Sequence, residues 1–224
     1  MKFGVVVFPG SNCDHDAYYA VTRNLGQQAD FIWHDSENLS QLDAVILPGG
    51  FSYGDHLRCG AIARFSPVMK AVKKFADAGG LVAGICNGFQ ILTEAQILPG
   101  ALIRNQGMRF ICKTVGLETA TSASAFTNRL KEGQVIQVPI AHGEGCYTAE
   151  AQVLDELEAE DRVVFRYVEN PNGSLRDIAG ILSAGRNVMG MMPHPERVAD
   201  PLMPGTDGLA VFESIVSAYA SLSR

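Results

Sequence analysis

The chain has 224 residues, 47% hydrophobic and 19% charged, with a net charge of −6 at neutral pH. That is the composition of an ordinary globule, and the acidic balance without any Lys/Arg cluster speaks against a nucleic-acid partner. No apolar run approaches the about 20 residues that cross a bilayer, and no secretory leader is evident, so no membrane association is expected. The five cysteines, Cys13, Cys59, Cys86, Cys112 and Cys146, are odd in number and include no Cys-x-x-Cys pair. Neither a disulfide framework nor a metal site is expected; a reducing, cytoplasmic setting is. The first strand is followed by no Gly-x-Gly-x-x-Gly, and no Gly-Lys-Ser/Thr phosphate loop occurs.

Residues 2–8 read as a strand, with Val5-Val6-Val7 apolar throughout, as in a buried parallel strand. Pro9-Gly10-Ser11-Asn12 is a turn, and residues 14–25 form a helix that Gly26 stops. Short strands follow at 30–33 and 43–47, the second ending in Pro48-Gly49-Gly50. Residues 61–78 are mostly helical, interrupted before Pro67 and closed by Gly79-Gly80. Residues 81–85 are an apolar strand. Strands alternating with helices at this spacing predict a parallel sheet covered by helices, with its ligands beyond the carboxyl ends of the strands. Gly10, Gly50 and Cys86 all fall at such ends, so their loops should meet on one edge.

The second half changes character. Strands are expected at 101–103, 110–117, 134–140, 162–167, 178–182 and 188–192, with few helices between them. The turn Asn170-Pro171-Asn172-Gly173 should join two antiparallel strands. A short helix is expected at 150–158, and a last one at 207–222 with Leu209, Phe212, Ile215, Val216 and Tyr219 in one apolar stripe. No linker or repeat is evident, so residues 1–224 read as one α/β domain, parallel first and antiparallel later.

Three stretches carry chemistry. The first is Leu81 to Gln90, an apolar strand that stops at Cys86, with Gly84 and Gly88 two residues to either side and a helix-forming run behind. Strand, small residue, nucleophile, small residue, helix is the plan of a nucleophile elbow. The glycines allow the tight turn, and a helix N-terminus below the sulfur favours a thiolate. The alternative is a structural cysteine buried at a strand end. The second stretch is Met192-Pro193-His194-Pro195-Glu196-Arg197. In extended backbone, residues i and i+2 point the same way, so Glu196 can fix the tautomer of His194 and leave the other ring nitrogen to a thiol. A surface His–Glu pair is the alternative. The third is Pro48-Gly49-Gly50-Phe51, where the N–H of Gly50, with that of Asn87, would form an oxyanion hole. Otherwise it is a plain turn.

These strings, in this order, resemble the class I, triad-type glutamine amidotransferases. Phe8 to Asp14, Gly49-Gly50-Phe51-Ser52-Tyr53-Gly54-Asp55, Ala141-His142-Gly143-Glu144-Gly145 and Asp207-Gly208 narrow the resemblance to the glutaminase subunits of phosphoribosylformylglycinamidine synthases, which serve de novo purine synthesis. The resemblance implies a flavodoxin-like α/β fold with a mostly parallel sheet. It implies hydrolysis of L-glutamine through a cysteinyl thioester, with Cys86 as nucleophile, His194 as acid and base, and Glu196 as orienter. It implies glutamine contacts from Gly49, Phe51, Gln90 and His142, and roles for Asp55 and Arg58 in ordering the oxyanion loop or meeting a partner. It implies no cofactor in this chain, but a large synthetase subunit using ATP and magnesium, and a small bridging subunit.

Cys146, where the family's pattern has a basic residue, and Met203-Pro204-Gly205-Thr206 depart from it in detail. The glutaminase of another amidotransferase and a γ-glutamyl hydrolase are the alternatives. A non-catalytic binding subunit is disfavoured because all three triad residue types are present. A chaperone- or glyoxalase-like protein is disfavoured because Asn87, not His, follows the cysteine.

Overall fold

A computed structural model describes residues 1–222 of the chain. In order, its elements are β1 (Lys2–Val7), α1 (Asp14–Tyr19), β2 (Gln28–Trp33), β3 (Ala44–Leu47), α2 (Pro67–Asp77), β4 (Leu81–Ile85), α3 (Asn87–Glu94), β5 (Ala101–Ile103), β6 (Ile111–Thr119), β7 (Val135–His142), β8 (Cys146–Thr148), α4 (Ala151–Ala159), β9 (Val163–Tyr167), β10 (Ile178–Leu182), β11 (Val188–Met191) and α5 (Leu209–Leu222). One sheet of nine strands runs β2-β1-β3-β4-β11-β10-β9-β6-β7. The pairs from β2 to β11 are parallel, and those from β11 to β7 antiparallel. This is the expected α/β architecture, parallel first and antiparallel later. β5 and β8 form a separate antiparallel pair.

Burial follows the strand type. Every residue of β3, β4 and β11 is buried, because neighbouring strands and covering helices close both faces, so these segments read as unbroken apolar runs. β7 alternates exposed and buried positions over its first four residues, since one face of the antiparallel half meets solvent. The turn at Asn170–Gly173 lies between β9 and β10, which pair antiparallel as expected.

Three local features differ from the sequence expectation. The first helix passes into a π-helical turn at Ala20–Asn24, where the Thr22 hydroxyl donates back to the Tyr18 carbonyl at 2.8 Å. The strand β8 was not expected, as three residues are too few to show a period. The stretch 61–78 divides into a 3-10 turn, Ala63–Phe65, and the helix α2, which Pro67 opens at its first turn.

The elbow between β4 and α3 shows why its glycines are needed. A Cβ on Gly88 would lie 2.0 Å from the Leu47 carbonyl oxygen, and one on Gly84 would lie 2.4 Å from Leu92 Cδ1 and 2.8 Å from the Gly88 oxygen. Both serve close approach between β3, β4 and α3. The unusual backbone instead falls on Cys86 itself, with φ +50° and ψ −105°. Gly88→Ala is therefore expected to cost about 2–3 kcal/mol or more, because a backbone carbonyl cannot yield as a side chain can. Urea unfolding of the variant beside the parent chain measures it; a loss under half a kilocalorie would contradict the packing.

Candidate active site

Three loops converge at the carboxyl ends of β1, β3 and β4. Ser11 bridges to Gly50, Phe51 N–H donates to Gly10 O at 3.3 Å, and Tyr53 N–H donates to Pro9 O at 2.6 Å. The Asn87 side chain ties this loop to the elbow by accepting from Ser52 N–H at 3.1 Å. The loop after Gly50 is conformationally costly, since Tyr53, Asp55 and Leu57 all have φ between +53° and +74°.

β11 lies beside β4, and the chain beyond it returns over the elbow. Cys86 N–H donates to Met191 O at 2.7 Å, and His194 N–H donates to Pro139 O at 2.8 Å. His194 is thereby fixed between the two halves of the sheet. Its Nδ1 lies 2.6 Å from Glu196 Oε1, with both side chains buried. Glu196 does not reach the ring along an extended strand, as the sequence suggested. Pro195 opens a 3-10 turn, Pro195–Val198, and the turn brings the carboxylate back to the imidazole.

Burial alone would lower the proton affinity of His194. The Glu196 carboxylate, Cys86 and Cys13 together outweigh it and hold the imidazole well above its ordinary range. Nε2 makes no hydrogen bond to protein, and the Cys86 thiol has only a 3.9 Å contact with the Ala141 carbonyl. Cys86, His194 and Glu196 lie together at this edge of the sheet.

A second thiol lies on the same imidazole. Cys13 Sγ, an imidazole nitrogen of His194 and a Glu196 oxygen lie within 4.8 Å of one another, the spacing of a small metal site. The guanidinium of Arg197 donates to that sulfur at 3.0 Å, and the short Nδ1–Oε1 bond is already closed. A cation would have to displace both, so the cluster reads as an ion-pair network.

A cleft of about 240 Å³ opens beside Cys86, bordered by Gly50, Phe51, Gln90, His142 and Glu144 among others. Gln90 is 4% exposed; its amide donates to Glu144 O at 2.6 Å and accepts from Asn87 Nδ2 at 2.9 Å. Gly49 does not border the cleft. It forms the floor under His194, where a Cβ would lie 2.6 Å from Cε1. Asp55 borders the cleft, while Arg58 turns away to a bidentate pair with Glu94. Burial and then Glu144 raise the proton affinity of Asp55, with Cys59 opposing by donating to it at 3.1 Å. Cys146 lies buried in β8, facing Ile103 of β5. Sequence reading missed Cys13, Arg197, Cys59, Glu144 and Asn105, which no local spacing connects.

His142 is buried, with Nδ1 3.1 Å from Asn105 Oδ1. Burial, reinforced by positive charge on His194, lowers it to about 4. A histidine depressed in the folded state destabilises as pH falls below the ordinary value near 6.5, down to its folded value. By that linkage it withdraws about 2 kcal/mol between pH 7 and 5. His194 acts in the opposite direction, so the informative quantity is a comparison. The stability advantage of the parent chain over His142→Gln is expected to shrink by that amount between pH 7 and 5. Urea titrations at the two pH values measure it, and a constant difference would contradict the buried neutral ring.

Comparison with known proteins agrees with this geometry. Residues 1–206 match the CobB/CobQ-like glutamine amidotransferase domain. The chain is 56% identical over 229 residues to the phosphoribosylformylglycinamidine synthase subunit PurQ of Koribacter versatilis, covering 98% of this chain and 99% of that protein. It superposes with a TM-score of 0.90, at 45% identity, on a chain in the structure of PurLQS from Thermotoga maritima, covering 97% of this chain and 98% of that one. A glutamine amidotransferase from Thermotoga maritima, 15% identical with a TM-score of 0.56 over 99% of this chain and 83% of that one, shares the fold alone. With an elbow thiol, a buried imidazole–carboxylate pair and full-length likeness in agreement, the chain belongs to the glutamine amidotransferase family, in the group of phosphoribosylformylglycinamidine synthase PurQ subunits.

Proposed function

We propose that this chain is the glutaminase of a phosphoribosylformylglycinamidine synthase and that Cys86, His194 and Glu196 perform the hydrolysis. The observation that carries the reading is the strained Cys86 at the mouth of α3, packed against a buried imidazole whose far nitrogen is held by a carboxylate at 2.6 Å. The α3 N-terminus and the imidazolium together favour a thiolate. The thiolate adds to the side-chain amide carbon of L-glutamine. The tetrahedral oxyanion is received by the N–H groups of Gly50 and Asn87. His194 gives its proton to the departing nitrogen, and ammonia leaves. The neutral imidazole then takes a proton from water, which attacks the γ-glutamyl thioester; glutamate departs and the thiol returns. Glu196 holds the tautomer throughout. Phe51, Gln90 and His142 border the cleft where glutamine would lie, with Gly49 acting from beneath the imidazole.

Ammonia lost to water is wasted, so the chain serves a partner. The relative's name and the PurLQS assembly support partner subunits; on this reading a large synthetase subunit uses ATP and magnesium to make formylglycinamidine ribonucleotide, and a small third subunit bridges the two. No helix among the described residues is long and apolar enough to cross a membrane, and the free cysteines fit a reducing cytoplasm.

Treatment with diazo-oxo-norleucine, a glutamine-like electrophile, is expected to add one label, on Cys86. Peptide mass spectrometry reads the site, and labelling of Cys13 or Cys59 instead would overturn the mechanism. Rapid glutamine or γ-glutamyl peptide turnover without any partner would favour a free-standing hydrolase.

A further inference from the structure

We propose that Arg197, anchored on the Cys13 sulfur, is a positioning residue that supplies the countercharge for the Glu196–His194 pair. The inference rests on the thiol–imidazole–carboxylate reading above. Glu196 is 6% exposed, and its Oε2 has no protein partner. A buried carboxylate with a free oxygen is costly unless positive charge lies near. In the reactive state thiolate, imidazolium and carboxylate together carry a net negative charge inside the protein. The guanidinium behind them offsets that charge, with Asp16 on its other side.

Its position is built, not incidental. Arg197 Nη2 donates to Cys13 Sγ at 3.0 Å, and Arg197 Nε lies 3.8 Å from Asp16 Oδ2. Cys13 is 1% exposed, and its N–H donates to Gly49 O at 3.3 Å. A Cβ on Gly49 would meet His194 Cε1 at 2.6 Å and Cys13 Sγ at 3.3 Å. Imidazole and second thiol thus rest on one glycine, and the arginine is held by the thiol that touches the ring's surroundings. Partial burial lowers the proton affinity of Arg197, and Cys13, then Glu196 and Asp16, more than reverse it, as expected for a cation paired with this site. The groups facing His194 are Glu196, Cys86, Cys13, Arg197, Asp16 and His142. Arg197 is the permanent cation among them.

The test titrates His194 by imidazole nitrogen NMR in the full chain and measures glutamine turnover in the assembled synthase. Arg197→Gln removes a neighbouring positive charge, so the His194 midpoint is expected to rise by about one pH unit. Turnover kcat should fall roughly tenfold, with KM within about twofold, because the cleft lies on the Cys86 side. Arg197→Lys should restore most of both. Cys13→Ala should lower kcat in the same direction as Arg197→Gln, and Cys13→Ser, whose hydroxyl can accept the same bond, should lower it less. An unchanged midpoint in Arg197→Gln, or no rescue by Lys, would overturn the inference. If Cys13→Ala does not fold, the Arg197 pair still decides. Failure of diazo-oxo-norleucine to label Cys86 in the parent chain would instead overturn the underlying triad reading.

Discussion

Cys86→Ala is expected to abolish synthesis from glutamine while leaving synthesis from free ammonia in the assembled complex. The side chain contributes little else: its thiol is buried beside His194 and makes one long hydrogen bond, 3.9 Å, to the Ala141 carbonyl. The backbone at φ +50° is as costly for alanine as for cysteine, so the elbow gains no new strain. Removing a few atoms there leaves Gly84, Gly88 and the packing of α3 on β4 intact. Removing the nucleophile ends thioester formation, and a loss of at least roughly 10⁴ in glutaminase kcat follows, as for other activated nucleophiles. Glutamate release and ammonia-dependent product formation, measured side by side, separate chemistry from folding. Residual glutaminase above about one per cent of the parent's would sink the covalent route. Loss of both activities would show that Cys86 also supports the fold.

The parallel half of the fold was legible because buried strands between covering helices leave unbroken apolar runs, as at Ala44–Leu47 and Leu81–Ile85. The elbow was legible because two glycines and a cysteine at fixed spacing have few other uses. The His194–Glu196 pair was legible as a string, but its geometry was not. Two residues apart suggested an extended strand, whereas Pro195 starts a 3-10 turn. What remained hidden is what only tertiary structure joins. Arg197 meets Cys13 across 184 positions, and Cys59 N–H meets Glu144 across 85. Gly49 read as part of an oxyanion wall that touches glutamine, yet its place under the imidazole depends on how β3 and the loop after β11 approach.

Glu196→Gln gives the second large effect, and its pH dependence tells orientation from charge. In the parent chain Glu196 is the largest of the groups that together outweigh burial and keep His194 raised. A histidine raised in the folded state contributes stability that is complete below its ordinary value near 6.5 and is lost as pH rises through the folded value. Without the carboxylate, the largest contribution opposing burial is gone and His194 falls. The parent's stability advantage over the variant should therefore be largest near pH 5–6 and shrink toward alkaline pH, as read by urea unfolding across that range. Activity should suffer for a second reason. The amide can present either its oxygen or its NH₂ to Nδ1, so the ring is no longer held in one tautomer with Nε2 toward Cys86. A loss of roughly 10²–10⁴ in kcat with little change in KM is expected. Should kcat stay within about tenfold and the stability difference stay flat with pH, Glu196 would be a packing residue, and His194 would be held by its backbone bond to Pro139 alone.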